Sequence, residues 1–147
     1  MIEVDVFIAG AGLAGSIAAL SYAKAGRTVL IADPVSYDSK SNFDYRTTAY
    51  LQPSKLFLEK IGVWAAIQNS AVPLEIMKII DASGGTHPGE IKTEKDFKSS
   101  DISELPFGWN VQNSFMRKSL KDLLVLHNNC KIINAESVVD FLSRDDI

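Results

Sequence analysis

Hydrophobic and polar positions divide the chain into short segments of alternating character. Val4 to Ala9 is a run of apolar or β-branched residues, interrupted by Asp5 and closed by Gly10, which suits a buried strand of a parallel sheet. After Gly15, Ile17 and Leu20 with Ala18, Ala19 and Ala23 predict a small-faced helix that stops at Gly26. Lys24 and Arg27 stand favourably at its negative end. Val29 to Ala32 predicts a second strand ending at Asp33, so a right-handed βαβ unit opens the chain. Residues 34–48 are polar, carry Pro34, and read as an irregular excursion.

Pro53 can begin a helix with Leu56, Phe57 and Ile61 as its buried stripe and Gly62 past its end; Trp64 and Ile67 extend it briefly. Pro73 breaks the pattern, Leu74 to Asp81 predicts a strand, and Gly84 and Gly85 predict a turn. Residues 86–101 hold seven charged side chains in sixteen, the composition of an exposed loop or solvated hairpin. Phe107 to Val111 predicts another strand. Asn113 or Ser114 can cap a helix whose apolar positions are Phe115, Met116, Leu120, Leu123 and Leu124, ending near Asn128. Lys131 to Ile133 and Val138 to Leu142 predict two more strands.

Composition narrows the function. In 147 residues, 46% are hydrophobic and the formal net charge is -3, so a packed core is expected and intrinsic disorder is not. No basic patch offers itself to a phosphate backbone, which argues against nucleic acid. Cys130 stands alone, and His87 and His127 have no ligands at metal spacing, so neither a disulfide nor a metal site is expected. Glu3 and Asp5 occupy the place of a cationic leader, and the uncharged stretch from Val6 to Leu20 is shorter than the ~20 residues a membrane span needs. These features predict a cytoplasmic protein.

The chemistry gathers at Gly10, Gly12 and Gly15, a G-x-G-x-x-G between the first strand and its helix. Gly10 permits a tight turn, Gly12 lets backbone approach a pyrophosphate, and Gly15 lets the helix lie close to the sheet. The helix N-terminus then faces the phosphates, with Leu13 and Ala14 counted among the cofactor-binding positions. Asp33 follows the last glycine by 18 residues, where a second strand delivers an acid to a ribose. A carboxylate there repels a 2′-phosphate, which disfavours NADP at this site and leaves FAD or NAD.

Three further segments carry a family likeness. Asp44-Tyr45-Arg46-Thr47-Thr48-Ala49, then Ser54, Leu58, Gly62, Val63 and Trp64, resembles the D-x-R segment and following helix of the ubiquinone-biosynthesis hydroxylases. Gly108-Trp109-Asn110-Val111-Gln112-Asn113 with Arg117 and Leu120 is similar to a later segment of the same family. Those are FAD-dependent aromatic monooxygenases related to para-hydroxybenzoate hydroxylase. The resemblance implies an α/β fold: a Rossmann-like βαβ FAD-binding domain with an incomplete parallel sheet, joined to the beginning of a β-rich substrate domain. Residues 1–71 and 111–147 would belong to the FAD-binding domain, and 72–110 to the substrate-domain sheet.

It further implies FAD as cofactor, NAD(P)H as electron donor and a small aromatic or prenylated phenol as substrate. Peripheral association with the inner membrane or a ubiquinone-synthesis complex would accompany such a substrate. Arg46 would lie near the flavin's ribityl-phosphate portion, where a guanidinium suits an anion. Asn113 would be a flavin-side amide, or simply a helix cap. Arg117, with Lys118 in the first turn of a helix, would oppose the macrodipole unless an anion lies nearby; the alternatives are an exposed arginine or a salt bridge to Asp44. No residue is expected to act as nucleophile or general base, because the cofactor carries the chemistry.

The later Asp-Gly and Gly-Asp pairs of that family are absent, so the chain reads as an N-terminal portion, inactive by itself. Its first strand should then lie at an open sheet edge, exposing Val6, Phe7 and Ile8 to self-association. A prenyl reductase, an NAD-dependent dehydrogenase and a truncated, non-catalytic nucleotide-binding domain are the competing readings.

Overall fold

The computed structural model describes residues 2–34, 44–83, 87 and 89–134. The predicted strand at Val138 to Leu142, the Gly84-Gly85 turn and most of the excursion after Pro34 lie outside them.

Strand β1 (Val6–Ala9), helix α1 (Leu13–Lys24) and strand β2 (Val29–Asp33) form the expected βαβ unit. Helix α4 (Asn113–Leu124) leads to β8 (Cys130–Asn134), which completes a parallel sheet of order β1-β2-β8. Val6 and Ile8 stand beside Val29 and Ile31, which stand beside Cys130 and Ile132. These six side chains face one way and pack with Ala19, Leu20 and Ala23 of α1 and Met116, Leu120 and Leu124 of α4. Small residues in α1 let the two helices share the sheet face. β2 is central and buried along Val29 to Ala32, as a near-continuous apolar strand requires. Among the described residues β1 is an edge strand, and Phe7 on it is exposed. The mixed α/β architecture agrees with the fold class read from the sequence.

Both helices return against the strand direction, so their N-termini lie at the carboxyl end of the sheet. Their C-termini meet at the opposite end, where the Asn129 amide donates to the carbonyls of Ala23 and Arg27 at 2.9 and 2.8 Å. That side chain ties the end of α1 to the loop that enters β8, adding to the Gly26 N–H bond which the Ala23 carbonyl already accepts.

A second sheet has the order β3-β7-β4, from β3 (Thr47–Leu51), β4 (Val72–Leu74) and β7 (Gly108–Gln112), all antiparallel. β3 corrects the reading of residues 34–48 as irregular throughout. Thr47, Thr48 and Ala49 carry little hydrophobic signal, and their pairing with β7 makes the strand. The helical stretch does end before Pro73, but the strand predicted from Leu74 is two strands, and Pro73 sits in the first of them, β4, opposite Trp109 on a sheet edge where a missing N–H is tolerated. The third sheet is a two-stranded ribbon of β5 (Ile76–Asp81) and β6 (Thr93–Lys98), the solvated hairpin expected of the charged stretch.

Helix α2 (Gln52–Lys60) has Pro53 in its first turn and is followed by α3 (Trp64–Ile67). Its buried stripe differs from the expected one. Leu58 and Ile61 are buried, whereas Leu56 is 63% exposed and Phe57 is exposed too. Leu56, Phe57 and Leu58 are consecutive, so only one of them can point inward on a 3.6-residue repeat. Leu58 joins Trp64, Ile67, Tyr50 and Val111 in the same core as the parallel sheet. No helix among the described residues is long and apolar enough to cross a membrane.

Candidate functional site

The turn from β1 into α1 is made by Gly10, whose φ of 102° is open to glycine and strained for other residues. α1 begins at Leu13, ahead of the start predicted after Gly15, so Gly15 lies inside the helix. A Cβ on Gly15 would collide with the Gly10 carbonyl oxygen, so the missing side chain lets α1 cross the turn closely. Gly12 is the residue that caps α1, and no side chain hydrogen-bonds to the helix start. A Cβ there would project into open space. The main-chain N–H groups of Leu13 and Ala14 therefore head a helix without a side-chain cap, beside space a phosphate can enter.

Asp33 ends β2 at this same edge. Its Oδ2 accepts a hydrogen bond from the Ala11 N–H at 2.6 Å, tying the acid to the glycine loop. Ser16, fully buried, donates from its hydroxyl to the Ala11 carbonyl at 3.1 Å, so that one loop residue is held from both sides. The loop conformation is thus braced by the chain's own side chains.

A second cluster joins the start of β3 to the start of α4. Asp44 receives Arg46 in a two-pronged contact, Nε to Oδ1 at 2.8 Å and Nη2 to Oδ2 at 2.9 Å. The Asn113 amide donates to Asp44 Oδ2 at 3.0 Å, and its carbonyl oxygen accepts from the Thr48 hydroxyl at 2.7 Å. The Asn113 N–H donates to the Arg46 carbonyl at 2.9 Å. Arg46 above all, then Asn113, holds the Asp44 carboxyl well below the usual carboxylate range. The Arg46 side chain nevertheless remains 83% exposed, a fixed cation presented to solvent.

Asn113 is not the helix cap. It is the first residue of α4, the capping position belongs to Gln112, and the amide is spent on Thr48 and Asp44. Arg117 is the fifth residue of α4, one turn beyond Asn113 and on the same side, rather than in the first turn. The argument from an opposed macrodipole is weaker there, because that effect fades after one turn. Of its two alternative roles, the salt bridge to Asp44 is not formed: the arginine paired with that carboxylate is Arg46. Lys118 pairs instead with Asp122 at 2.9 Å. Thr48 had no signal in the sequence, since its part in the cluster depends on a partner 65 positions away.

All these groups lie at the carboxyl end of the parallel sheet, because both helix N-termini and the end of β2 do. An open parallel sheet binds its ligands there. From the first turn of α1, Ala14 also lines an apolar cleft of about 650 Å³ between α1 and α2, with Ile17, Ala18, Tyr22, Tyr50 and Phe57.

A family model described as "FAD binding domain" matches residues 3–132. The chain belongs to that family. Among curated proteins none matches its sequence significantly. Solved structures do match its fold. The p-nitrophenol 4-monooxygenase PnpA of Pseudomonas putida superposes with a TM-score of 0.66 at 23% identity, over 88% of this chain and 31% of its own. A flavoprotein/dehydrogenase of Cytophaga hutchinsonii gives 0.62 at 22% identity, over 88% of this chain and 30% of its own. The flavin-dependent monooxygenase PieE, solved with FAD and substrate, gives 0.66 at 16% identity, over 89% and 23%. The chain therefore spans less than a third of the length of each of these three proteins.

The residues present fit the adenosine and pyrophosphate of FAD: a helix start without a side-chain cap, a loop with no Cβ in the way and an acid at the strand end.

Proposed function

We propose that the chain is the FAD-binding portion of a flavin-dependent monooxygenase that hydroxylates an aromatic ring, with NAD(P)H as electron donor and O2 as oxygen source. The observation that carries this reading is the Asp44-Arg46-Asn113 cluster at the same sheet end as the glycine loop. A βαβ unit that binds NAD needs the loop and the acid but no second, cationic clamp. The two segments that build the cluster are those resembling the aromatic hydroxylases, and two of the solved structures with this fold are monooxygenases.

FAD, when bound, supplies electron transfer and oxygen activation. The chain's own residues bind and orient. Leu13 and Ala14 N–H groups meet the pyrophosphate, and Asp33 accepts from a ribose hydroxyl while keeping its bond to Ala11. Arg46 offers an anion partner, with Asp44 and Asn113 fixing its guanidinium plane. Arg117 adds positive charge from the same side of α4. A polyprenyl phenol on the route to ubiquinone is the proposed substrate class, supported by the sequence resemblance alone.

Calorimetry on the 147-residue chain with FAD, ADP and NAD tests the cofactor. FAD is expected to bind more tightly than ADP, because only it reaches past the pyrophosphate towards Arg46, and NAD more weakly than either. An Arg46→Ala variant should lose the advantage of FAD over ADP. Preference for NAD, unaffected by that substitution, would replace this reading with the dehydrogenase one.

A further inference from the structure

Four polar side chains from two segments meet because of how β3 pairs with β7. In that antiparallel register Thr47 stands opposite Gln112 and Thr48 opposite Val111. The Asn113 N–H, donating to the Arg46 carbonyl at 2.9 Å, extends the ladder by one more pair. Arg46 and Thr48, two apart on an extended chain, share a face. Asn113, opposite Arg46, is the diagonal neighbour of Thr48 on that face, within reach of its side chain.

The hydrogen bonds among them run in one direction. The Asp44 carboxylate is an acceptor only, so the Asn113 amide must turn its nitrogen towards it, and Nδ2 lies 3.0 Å from Oδ2. The amide oxygen then points the other way, to Thr48, whose hydroxyl donates to it at 2.7 Å. Each oxygen of Asp44 receives two bonds. Oδ1 accepts from the main-chain N–H and the Nε of Arg46, at 3.1 and 2.8 Å, and Oδ2 from Arg46 Nη2 and Asn113. Asp44 and Arg46 belong to one short stretch of chain. Among the described residues, Asn113 is the side chain that reaches their ion pair from another segment, and Thr48 is the donor to its amide oxygen.

We propose that Thr48 is a positioning residue of the cofactor site: by holding the Asn113 amide oxygen it keeps the amide N–H on Asp44, and so fixes the direction in which Asp44 presents the Arg46 guanidinium. This role rests on the reading of Arg46 as an anion partner of FAD. Thr48 acts through Asn113 and Asp44 and needs no contact with the cofactor. A β-branched side chain suits the task, because two heavy atoms on Cβ restrict χ1 and keep the hydroxyl aimed. Donation to the amide oxygen also polarises the amide, which strengthens its bond to the carboxylate. Without the hydroxyl, the part-buried amide oxygen loses its donor. Rotation of Asn113 to find another would draw its N–H away from Asp44.

Thr48→Val and Thr48→Ser, compared with the unaltered 147-residue chain in two measurements, test this. Valine keeps the branched shape and deletes the hydroxyl, so β3 should persist, as unfolding followed by fluorescence of Trp109, on the neighbouring strand, will show. Should valine disturb the strand, Thr48→Ala removes the same hydroxyl without the branch. Carboxyl-detected NMR titration on labelled aspartate reads Asp44 with no ligand present. Its carboxyl should move up towards its ordinary value in Thr48→Val and return most of the way in Thr48→Ser, whereas a role confined to strand packing would leave it unmoved. An unmoved Asp44 in both Thr48→Val and Thr48→Ala overturns the proposal. Calorimetry then reads the cofactor. FAD binding should weaken by about 3- to 10-fold in Thr48→Val, the worth of one hydrogen bond, with ADP binding unchanged and FAD binding recovered in Thr48→Ser. Normal FAD binding in Thr48→Val, alongside loss of the FAD advantage in Arg46→Ala, overturns the positioning role and spares the flavin reading. Absence of any FAD advantage in the unaltered chain overturns the flavin reading and the cofactor role of Thr48 with it, while the Asp44 titration still decides whether Thr48 holds the carboxylate.

Discussion

Asp33 Oδ2 accepts the Ala11 N–H at 2.6 Å, so the last residue of β2 fixes the loop that follows β1. In the proposed function the same carboxylate both braces the glycine turn and is the acid presented to a ribose. The two duties can be separated. Asp33→Asn keeps an acceptor for Ala11, while Asp33→Ala leaves that N–H without its partner.

The expected result is a stability loss of about 1 kcal/mol for Asp33→Ala and markedly less for Asp33→Asn, read from denaturant unfolding. Both should weaken ADP binding by roughly tenfold, the worth of one charge-assisted hydrogen bond. Equal stability of Ala and wild type would remove the bracing role.

The glycines of the loop make a second, sharper contrast. Gly15→Ala drives a methyl into the Gly10 carbonyl and should cost about 1 to 3 kcal/mol of stability. Gly12→Ala meets nothing within 4 Å, so unfolding should be nearly unchanged while FAD and ADP binding falls. If calorimetry found Gly12→Ala binding normally, the open space at residue 12 would not be the pyrophosphate seat.

What the sequence could reveal follows from how far each signal reaches. β1, α1, β2 and Asp33 are legible because glycine spacing and apolar runs are local, and together they predict the βαβ unit. β3 was not, since Thr47, Thr48 and Ala49 are strand residues only through β7, some 60 positions on. Asn113 looked like a cap by position alone, and its actual partners, Thr48 and Asp44, come from another segment. Of the expected site residues, the structure gathers Gly10, Gly12, Leu13, Ala14, Gly15 and Asp33 in one loop region. Arg46 and Asn113 meet in the second cluster, with Arg117 a turn further along α4.

The stripe of α2 gives a packing test of the same point. Leu58→Ala should cost about 2 to 5 kcal/mol, because the side chain is buried in the shared core. Leu56→Ala should stay within about 0.5 kcal/mol, being largely exposed. Similar losses from the two substitutions in thermal unfolding would mean that Leu56 is covered in solution.

The last prediction concerns acid. Arg46 and then Asn113 lower the Asp44 carboxyl below its ordinary value of 3.8. Its native value lies below the unfolded one, so the stabilisation is complete above about pH 4 and is lost as pH falls through the depressed native value. Asp44→Asn removes the ionisable group, and Arg46 loses the anion that orients it. The wild type should therefore be more stable than Asp44→Asn at pH 6 to 7, and the gap should narrow steadily below pH 4, as unfolding midpoints across that range will show. Asn113→Ala should move the Asp44 carboxyl back towards its ordinary value by removing one of its donors, while the Arg46 contact persists. Carboxyl-detected NMR on labelled aspartate reads that shift directly, and an unmoved Asp44 resonance in Asn113→Ala would show that the arginine alone sets it.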